Sequence, residues 1–187
     1  PSSFNPKYLH QQLMAHPEYR VRFADRVQRY FFNDGVMTPA GAQALLDSRS
    51  AQIDQAIIGE SARWGDQHNE PPLDWDTWQT EVNWLRNTFL SQRTEIVLDQ
   101  LRAEGLYPSG QLDAPSFNTH GGAVPSGFEL SITNHESTGI VYYTLDGTDP
   151  RATGGAIASA AVPYDSPITL LGSCTAKARL LRSGFWS

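Results

Sequence analysis

Apolar residues in this chain change their spacing near position 110. Before that point they recur every three or four residues, as on one face of a helix, and after it they alternate with polar residues, as along a strand. We therefore predict an α + β chain in two modules, an N-terminal helical bundle over 1–108 and a small antiparallel β-sandwich over 114–187. A linker is expected near 107–114, which contains Pro108, Ser109 and Gly110.

Helix boundaries in the first module are marked by capping residues. Proline suits the first turn of a helix, and a threonine or aspartate oxygen can accept the free N–H groups there. The predicted starts are Pro6, Pro17, Thr38 and Asp74. Glycine often closes a helix, so Gly59 and Gly105 are the predicted ends of two helices, with a loop expected over 60–73.

The second module carries several short strand patterns. The clearest is Val141–Tyr143, where β-branched and aromatic residues lead into Asp146-Gly147, as in a strand that enters a tight turn. Short strands joined by glycine-containing turns are typical of an Ig-like β-sandwich. The predicted strands are 115–118, 127–133, 139–145, 167–171 and 174–182.

Charge and composition exclude several classes of partner. The net charge of the chain is -6 and neither half is basic, which argues against a nucleic-acid partner. No apolar run approaches the roughly 18 residues of a membrane span. Cys174 is the only cysteine, so an internal disulfide and a cysteine-rich zinc site are both excluded. No cofactor is predicted.

Two aspartates form a candidate metal site. Asp146 and Asp149 lie within four residues, and Ca²⁺ prefers clustered oxygen ligands. Aspartate is also an ordinary turn residue, and an EF-hand type of loop would need further ligands, so a structural turn is the favoured interpretation. Asp74 and Asp76 open a helix, where acidic side chains stabilise the positive end of the dipole, so capping is favoured there as well.

Aromatic side chains of the second module are candidates for sugar binding. They are Tyr142, Tyr143 and Trp186. Since Tyr142 and Tyr143 are neighbours in a strand, one should face the core and the other should face outward. The histidines show no metal-binding spacing, and neither a nucleophile-elbow pattern nor a phosphate-binding loop occurs. No catalytic residue is therefore predicted.

The strand and turn over 141–151 resemble the small β-sandwich at the C-terminus of chitobiase/β-hexosaminidase enzymes. That pattern is a tyrosine-rich strand followed by T-x-D-G-(S/T)-x-P, and here it is matched by Tyr143–Pro150. Its later strand, which reads like K-A-R, is matched by Lys177–Arg179. The resemblance implies an Ig-like fold and, by analogy with the glycosidases, a polysaccharide partner.

The first module is similar to the C-terminal helices of CotH-kinase-like proteins, which occur in large bacterial surface or secreted chains. The matching stretches are 18–26, 31–35 and 60–66. In that family the nucleotide and metal residues lie upstream of these helices, so no catalytic residue is transferred. The resemblance implies a bacterial origin and a secreted or cell-surface location.

Three hypotheses about function follow. The favoured one is a non-catalytic fragment of an exported multidomain bacterial protein, with both modules in structural or interaction roles and neighbouring domains of the parent protein as partners. The second is a carbohydrate-binding β-sandwich. The third is a part that buttresses a CotH-like kinase whose catalytic core lies upstream, with the stripe Phe23, Val27 and Tyr30 or the stripe Trp75, Trp78 and Val82 facing that core.

Overall fold

A computed structural model describes residues 5–67, 70–108 and 112–187. Helices occupy the N-terminal part and antiparallel sheets the C-terminal part, which confirms the predicted α + β chain of two modules. The predicted linker residues Ser109 and Gly110 lie outside the described residues, as does His68 of the predicted loop. Within the described segments, no helix has both the length and the apolar character needed to cross a bilayer.

The described residues of the N-terminal part contain five α-helices, and the starts predicted for the first four are confirmed. They are α1 Pro6–Leu13, α2 Pro17–Phe31, α3 Pro39–Trp64, α4 Trp75–Trp84 and α5 Leu90–Ala103. The hydroxyl of Thr38 accepts the Gly41 N–H at 3.1 Å, and a carboxylate oxygen of Asp74 accepts the Thr77 N–H at 2.8 Å. Both side chains thus satisfy a backbone donor of the first helical turn.

Helix α3 passes through its predicted end. It continues from Gly59 to Trp64, and the N–H of Gly65 then bonds the Ser61 carbonyl at 2.9 Å. The prediction that Gly59 closes this helix was therefore wrong, and the loop expected over 60–73 begins later. A glycine inside a helix costs only about 1 kcal/mol relative to alanine, which is too little to end a helix of 26 residues that packs against its neighbours.

A π-helical segment, Leu85–Phe89, joins α4 to α5 without a break. The buried residues are Val82 in α4 and Thr94 and Leu98 in α5. In an uninterrupted α-helix Val82 and Thr94 would point about 120° apart. The π turn absorbs one extra residue and removes about 100° of that rotation, so both buried faces lie on one side.

Helix α5 ends as the sequence predicted. Gly105 has φ +66°, and the N–H of Leu106 bonds the Leu101 carbonyl at 2.9 Å. This is the six-residue closure of a Schellman motif. Leu106 is buried, so its side chain supplies the hydrophobic contact that accompanies such a cap.

The described residues of the C-terminal part contain eight short strands, which form three antiparallel sheets. One sheet pairs β1 with β3, the second pairs β2 with β6, and the third has the order β5-β4-β7-β8. All five predicted strand segments contain a strand, whereas β5 and β8 lie outside them. The strands are β1 Ser116–Phe117, β2 Phe128–Leu130, β3 Ile132–Thr133, β4 Ile140–Thr144, β5 Val162–Pro163, β6 Ile168–Leu170, β7 Lys177–Arg182 and β8 Phe185–Trp186.

The described residues form two compact units. One comprises those within Pro1–Tyr19 and Pro108–Ser187, and the other those within Arg20–Tyr107. The core of the first unit centres on four buried residues, Leu112, Ile132, Val141 and Leu180. The predicted domains, 1–108 and 114–187, stay a prediction, although the compact units place the described residues before Arg20 with the strands.

Candidate functional site

The turn that follows β4 is held by its own side chains. The Asp146 carboxylate accepts the Thr148 N–H at 2.9 Å and the Thr148 hydroxyl at 2.6 Å. The buried Thr144 hydroxyl donates to the Thr148 carbonyl at 2.6 Å. Gly147 has φ +80°, a conformation that glycine adopts without steric cost. The T-x-D-G-T segment therefore encodes a rigid turn.

An arginine from β7 clamps the end of this turn. The Asp149 carboxylate accepts a hydrogen bond from the Arg151 backbone N–H at 2.9 Å. It also accepts hydrogen bonds from Nε and Nη2 of Arg179 at 2.6 and 2.8 Å. A bidentate pair of this kind is among the strongest side-chain interactions. The Nη1 of Arg179 donates to the Ser187 carbonyl at 2.7 Å, so one guanidinium joins the turn to the residue after β8.

A second ionic fork lies beside the first. The guanidinium of Arg151 donates to both carboxylate oxygens of Glu18 at 2.8 and 2.9 Å, and the Gly154 N–H donates to Glu18 Oε1 at 3.0 Å. Glu18 lies in the first turn of α2, within the same compact unit as the strands. Three donors thus bind one carboxylate and attach the start of α2 to the segment after the turn.

The carboxylates of this region are held in their charged forms. Hydrogen bonds from Arg151 and then from Gly154 lower the pKa of Glu18 to about 2. Hydrogen bonds from Thr148 lower the pKa of Asp146. Burial raises the pKa of Asp149, but the Arg179 hydrogen bonds, the Arg151 N–H and nearby positive charge outweigh it and leave that pKa below its usual value. These groups are therefore structural anions at neutral pH.

The structure brings together two of the three aromatic candidates. The rings of Tyr142 and Trp186 lie 5.9 Å apart at 59°, and the Trp186 indole N–H donates to the Gly155 carbonyl at 2.7 Å. Tyr143 instead packs against the hydrophobic core and meets Tyr164 edge to face at 6.2 Å. The ring pair and Tyr143 therefore do not form one surface, and sugar binding stays a prediction.

Both predicted metal ligands form hydrogen bonds with other side chains. Asp146 bonds Thr148, whereas Asp149 bonds Arg179. Within the described ranges, no three His, Cys, Asp or Glu side chains are grouped so that they could hold a metal ion. The calcium hypothesis stays a prediction, and these contacts favour the structural-turn interpretation that accompanied it.

The sequence did not identify the residues that organise this site. Arg151 and Arg179 stand in the motifs that carry the β-sandwich resemblance, but the motifs give them no partners. The pairing of Asp149 with Arg179 spans 30 positions, and that of Glu18 with Arg151 spans 133. No local pattern marks such distant pairs.

A family model matches part of the chain. The family described as Fn3 associated matches residues 130–185, which run from the end of β2 into β8 and include the turn and Arg179. The chain matches no curated protein and no solved structure. Residues 130–185 are therefore similar to a fibronectin-like or Ig-like β-module, and this similarity indicates a structural or interaction role within a multidomain protein.

Proposed function

We propose that this chain is a non-catalytic part of an exported multidomain bacterial protein, in which both modules have structural or interaction roles. The observation that carries the proposal is the pair of ionic forks, Asp149 with Arg179 and Glu18 with Arg151. They tie the turn of the β-module to its neighbouring segments. Export and bacterial origin are supported by the resemblances of 141–151 and 18–26.

The state of the carboxylates supports a non-catalytic role. A general acid or base works best with a pKa near the working pH. The described carboxyl groups with a perturbed pKa all have that pKa lowered, through hydrogen bonds or ion pairs with structural partners. They are Glu18, Asp74, Glu136, Asp146 and Asp149. Such groups remain charged at neutral pH and are suited to holding a fold.

Two measurements on the full chain test this function. Phosphotransfer from labelled ATP in the presence of Mg²⁺ is expected to be absent, and ATP with Mg²⁺ is expected to leave Tm unchanged. Sequencing of the coding region on both sides of the chain should reveal neighbouring domains and an export signal. Nucleotide-dependent stabilisation would favour the kinase-buttress alternative, and genuine phosphotransfer would refute the non-catalytic proposal.

A second candidate function is carbohydrate binding, favoured by the pair Tyr142 and Trp186. Both rings are partly exposed, and the hydrogen bond from Trp186 to the Gly155 carbonyl fixes the indole orientation. Fixed aromatic rings bind ligands at a small entropic cost. The test applies the full chain to chitin, cellulose and peptidoglycan fragments, with Trp186→Ala as the disrupting variant and Tyr143→Phe as the core-facing control. Equal retention of the variant and the wild type would exclude this surface.

A further inference from the structure

An apolar groove lies between α2 and α5 within the unit Arg20–Tyr107. Its volume is about 330 Å³, which is at the lower end of the range for ligand-binding clefts. Apart from one arginine, its lining is aliphatic and aromatic, and Tyr30 at its edge is 37% exposed. The lining residues are Phe23, Arg26, Val27, Tyr30, Phe31, Val97 and Leu101.

A row of arginines runs along one side of this groove. Arg22, Arg26 and Arg29 follow one another at spacings of four and three, which places them on one flank of α2. All three are exposed. Arg22 and Arg26 form no ion pair among the described residues, and the guanidinium of Arg29 lies 5.6 Å from the Tyr30 ring centroid. The groove is therefore edged by positive charge.

This positive charge is not neutralised within α2. The helix has two acidic residues, Glu18 and Asp25, against four arginines. The Glu18 carboxylate is already bound by Arg151. Some arginines elsewhere in the described residues form salt bridges, as Arg86 does with Asp47 and Arg102 with Asp99. In a chain of net charge -6, α2 thus concentrates unpaired positive charge beside an apolar groove.

We propose that this groove binds an acidic amphipathic helix of a partner protein. The apolar side chains of that helix would enter the groove, and its carboxylates would face Arg22, Arg26 and Arg29. A concave apolar groove accepts protruding side chains, as in helix-in-groove recognition, while matched charge fixes the register. This inference rests on the proposed function, because it gives the helical unit of an interaction protein its partner class.

The test uses a synthetic helical peptide of about 16 residues, with leucines along one face and glutamates on its flank. A matched peptide carries lysine in place of each glutamate. Anisotropy titrations with the full chain at low salt are expected to show at least about tenfold tighter binding of the glutamate peptide. Arg26→Glu should sharply reduce this preference, because the charge of the row falls from +3 to +1. Arg49→Glu should leave it unchanged, since Arg49 is exposed on α3 and bonds Gln52.

A groove-filling variant tests the apolar part of the site. Val97→Trp is expected to weaken binding of the glutamate peptide about tenfold, although the arginine row remains intact. Circular dichroism melts establish that each variant is folded. Because Arg26→Glu should gain affinity for the lysine peptide, loss of folding cannot imitate the expected result.

Three outcomes of the binding measurements would overturn the proposal. They are equal binding of the two peptides, an Arg26→Glu variant that keeps the wild-type preference, and Arg26-dependent binding of anionic vesicles without discrimination between the peptides. Arg26-dependent self-association in sedimentation would assign the groove to a second copy and would also overturn it. Failure of the peptide to bind leaves the non-catalytic role standing, whereas ATP-dependent phosphotransfer refutes that role without affecting the peptide result.

Discussion

The Asp149 carboxylate and the Arg179 guanidinium face each other as a fork, with Nε and Nη2 at 2.6 and 2.8 Å from the two carboxylate oxygens. Arg179 lies in the middle of β7 and Asp149 lies in the turn after β4, the strand with which β7 pairs. The fork thus connects a strand to the turn of its neighbour. The motif D-G-T-D-P and the motif K-A-R, far apart in sequence, form one structural unit.

Replacing Arg179 should destabilise the β-module. The Arg179 side chain is 11% exposed, and its removal leaves a partly buried carboxylate without its main partner. We expect Arg179→Ala to lower the free energy of unfolding by about 2 kcal/mol, and Arg179→Lys to recover part of this loss. Urea unfolding of the full chain measures the effect. Arg49→Ala, an exposed control, should change it by no more than about 0.5 kcal/mol, and equal effects of both alanine variants would contradict the structural role of the fork.

Glu18 should contribute an acid-dependent part of the stability. Its pKa falls from the ordinary 4.5 to about 2 in the folded chain, mainly through the Arg151 hydrogen bonds. A lowered folded-state pKa gives stability that is complete above the unfolded pKa and is lost as the pH falls through the folded one. We therefore expect Glu18→Gln to flatten the decline of stability between about pH 4.5 and pH 2. The free energy of unfolding is measured at several pH values across this range, with exposed Glu81→Gln as the control. If it declined equally with falling pH in the wild type and in Glu18→Gln, the contribution of Glu18 would be contradicted.

Gly147 should not tolerate a side chain. Its φ is +80°, and a Cβ there would lie 3.3 Å from two side-chain atoms of Thr175. We expect Gly147→Ala to cost about 1–2 kcal/mol, mainly because the left-handed conformation is unfavourable for alanine. Gly172→Ala is the matched control, since that glycine has no positive φ and open space at its Cβ. Thermal or urea unfolding compares the two, and a Gly172 variant as damaging as the Gly147 variant would argue against strain as the cause.

The π-helical segment should tolerate a deletion that α5 does not. Removing Thr88, an exposed residue of Leu85–Phe89, should convert the π turn into an ordinary α-helical one and keep Val82 and Leu98 on one side. Its cost is expected to stay within about 1 kcal/mol. Removing Glu95 in α5 should instead rotate Leu98 by about 100° out of the core, with a loss of about 3 kcal/mol or more. Unfolding measurements that ranked the two deletions in the reverse order would show that the π turn does not align the faces.

Local signals in the sequence were sufficient for most of the secondary structure. Thr38 and Asp74 cap helices and Gly105 closes one, because a cap depends on only a few neighbouring residues. Gly59 misled the prediction, since a glycine with open space at its Cβ can remain inside a packed helix. The π-helical turn was missed because the spacing of the hydrophobic residues fits two successive helices as well as it fits one continuous helix with a π turn.

The site was harder to predict because it is stabilised by ion pairs between residues that are distant in sequence. Tyr143 and Tyr142 could be assigned opposite faces from strand alternation, and the structure packs Tyr143 against the core. By contrast, the partners of Arg151 and Arg179 depend on how the turn, β7 and the start of α2 meet. Helical spacing placed Arg22, Arg26 and Arg29 mainly away from the apolar stripe, but the net charge of each half gave no sign that they form a basic row, because averaging removes a pattern confined to one helix flank.

The contact of Glu18 with Arg151 has a consequence for how such chains can be recombined during evolution. A gene rearrangement that moved the strands without the leading helices would leave a guanidinium and the Gly154 N–H facing solvent in place of their carboxylate. The segment that must be inherited as a unit therefore starts before Glu18. We therefore expect the residues at positions 18 and 151 to be substituted together as homologous chains diverge.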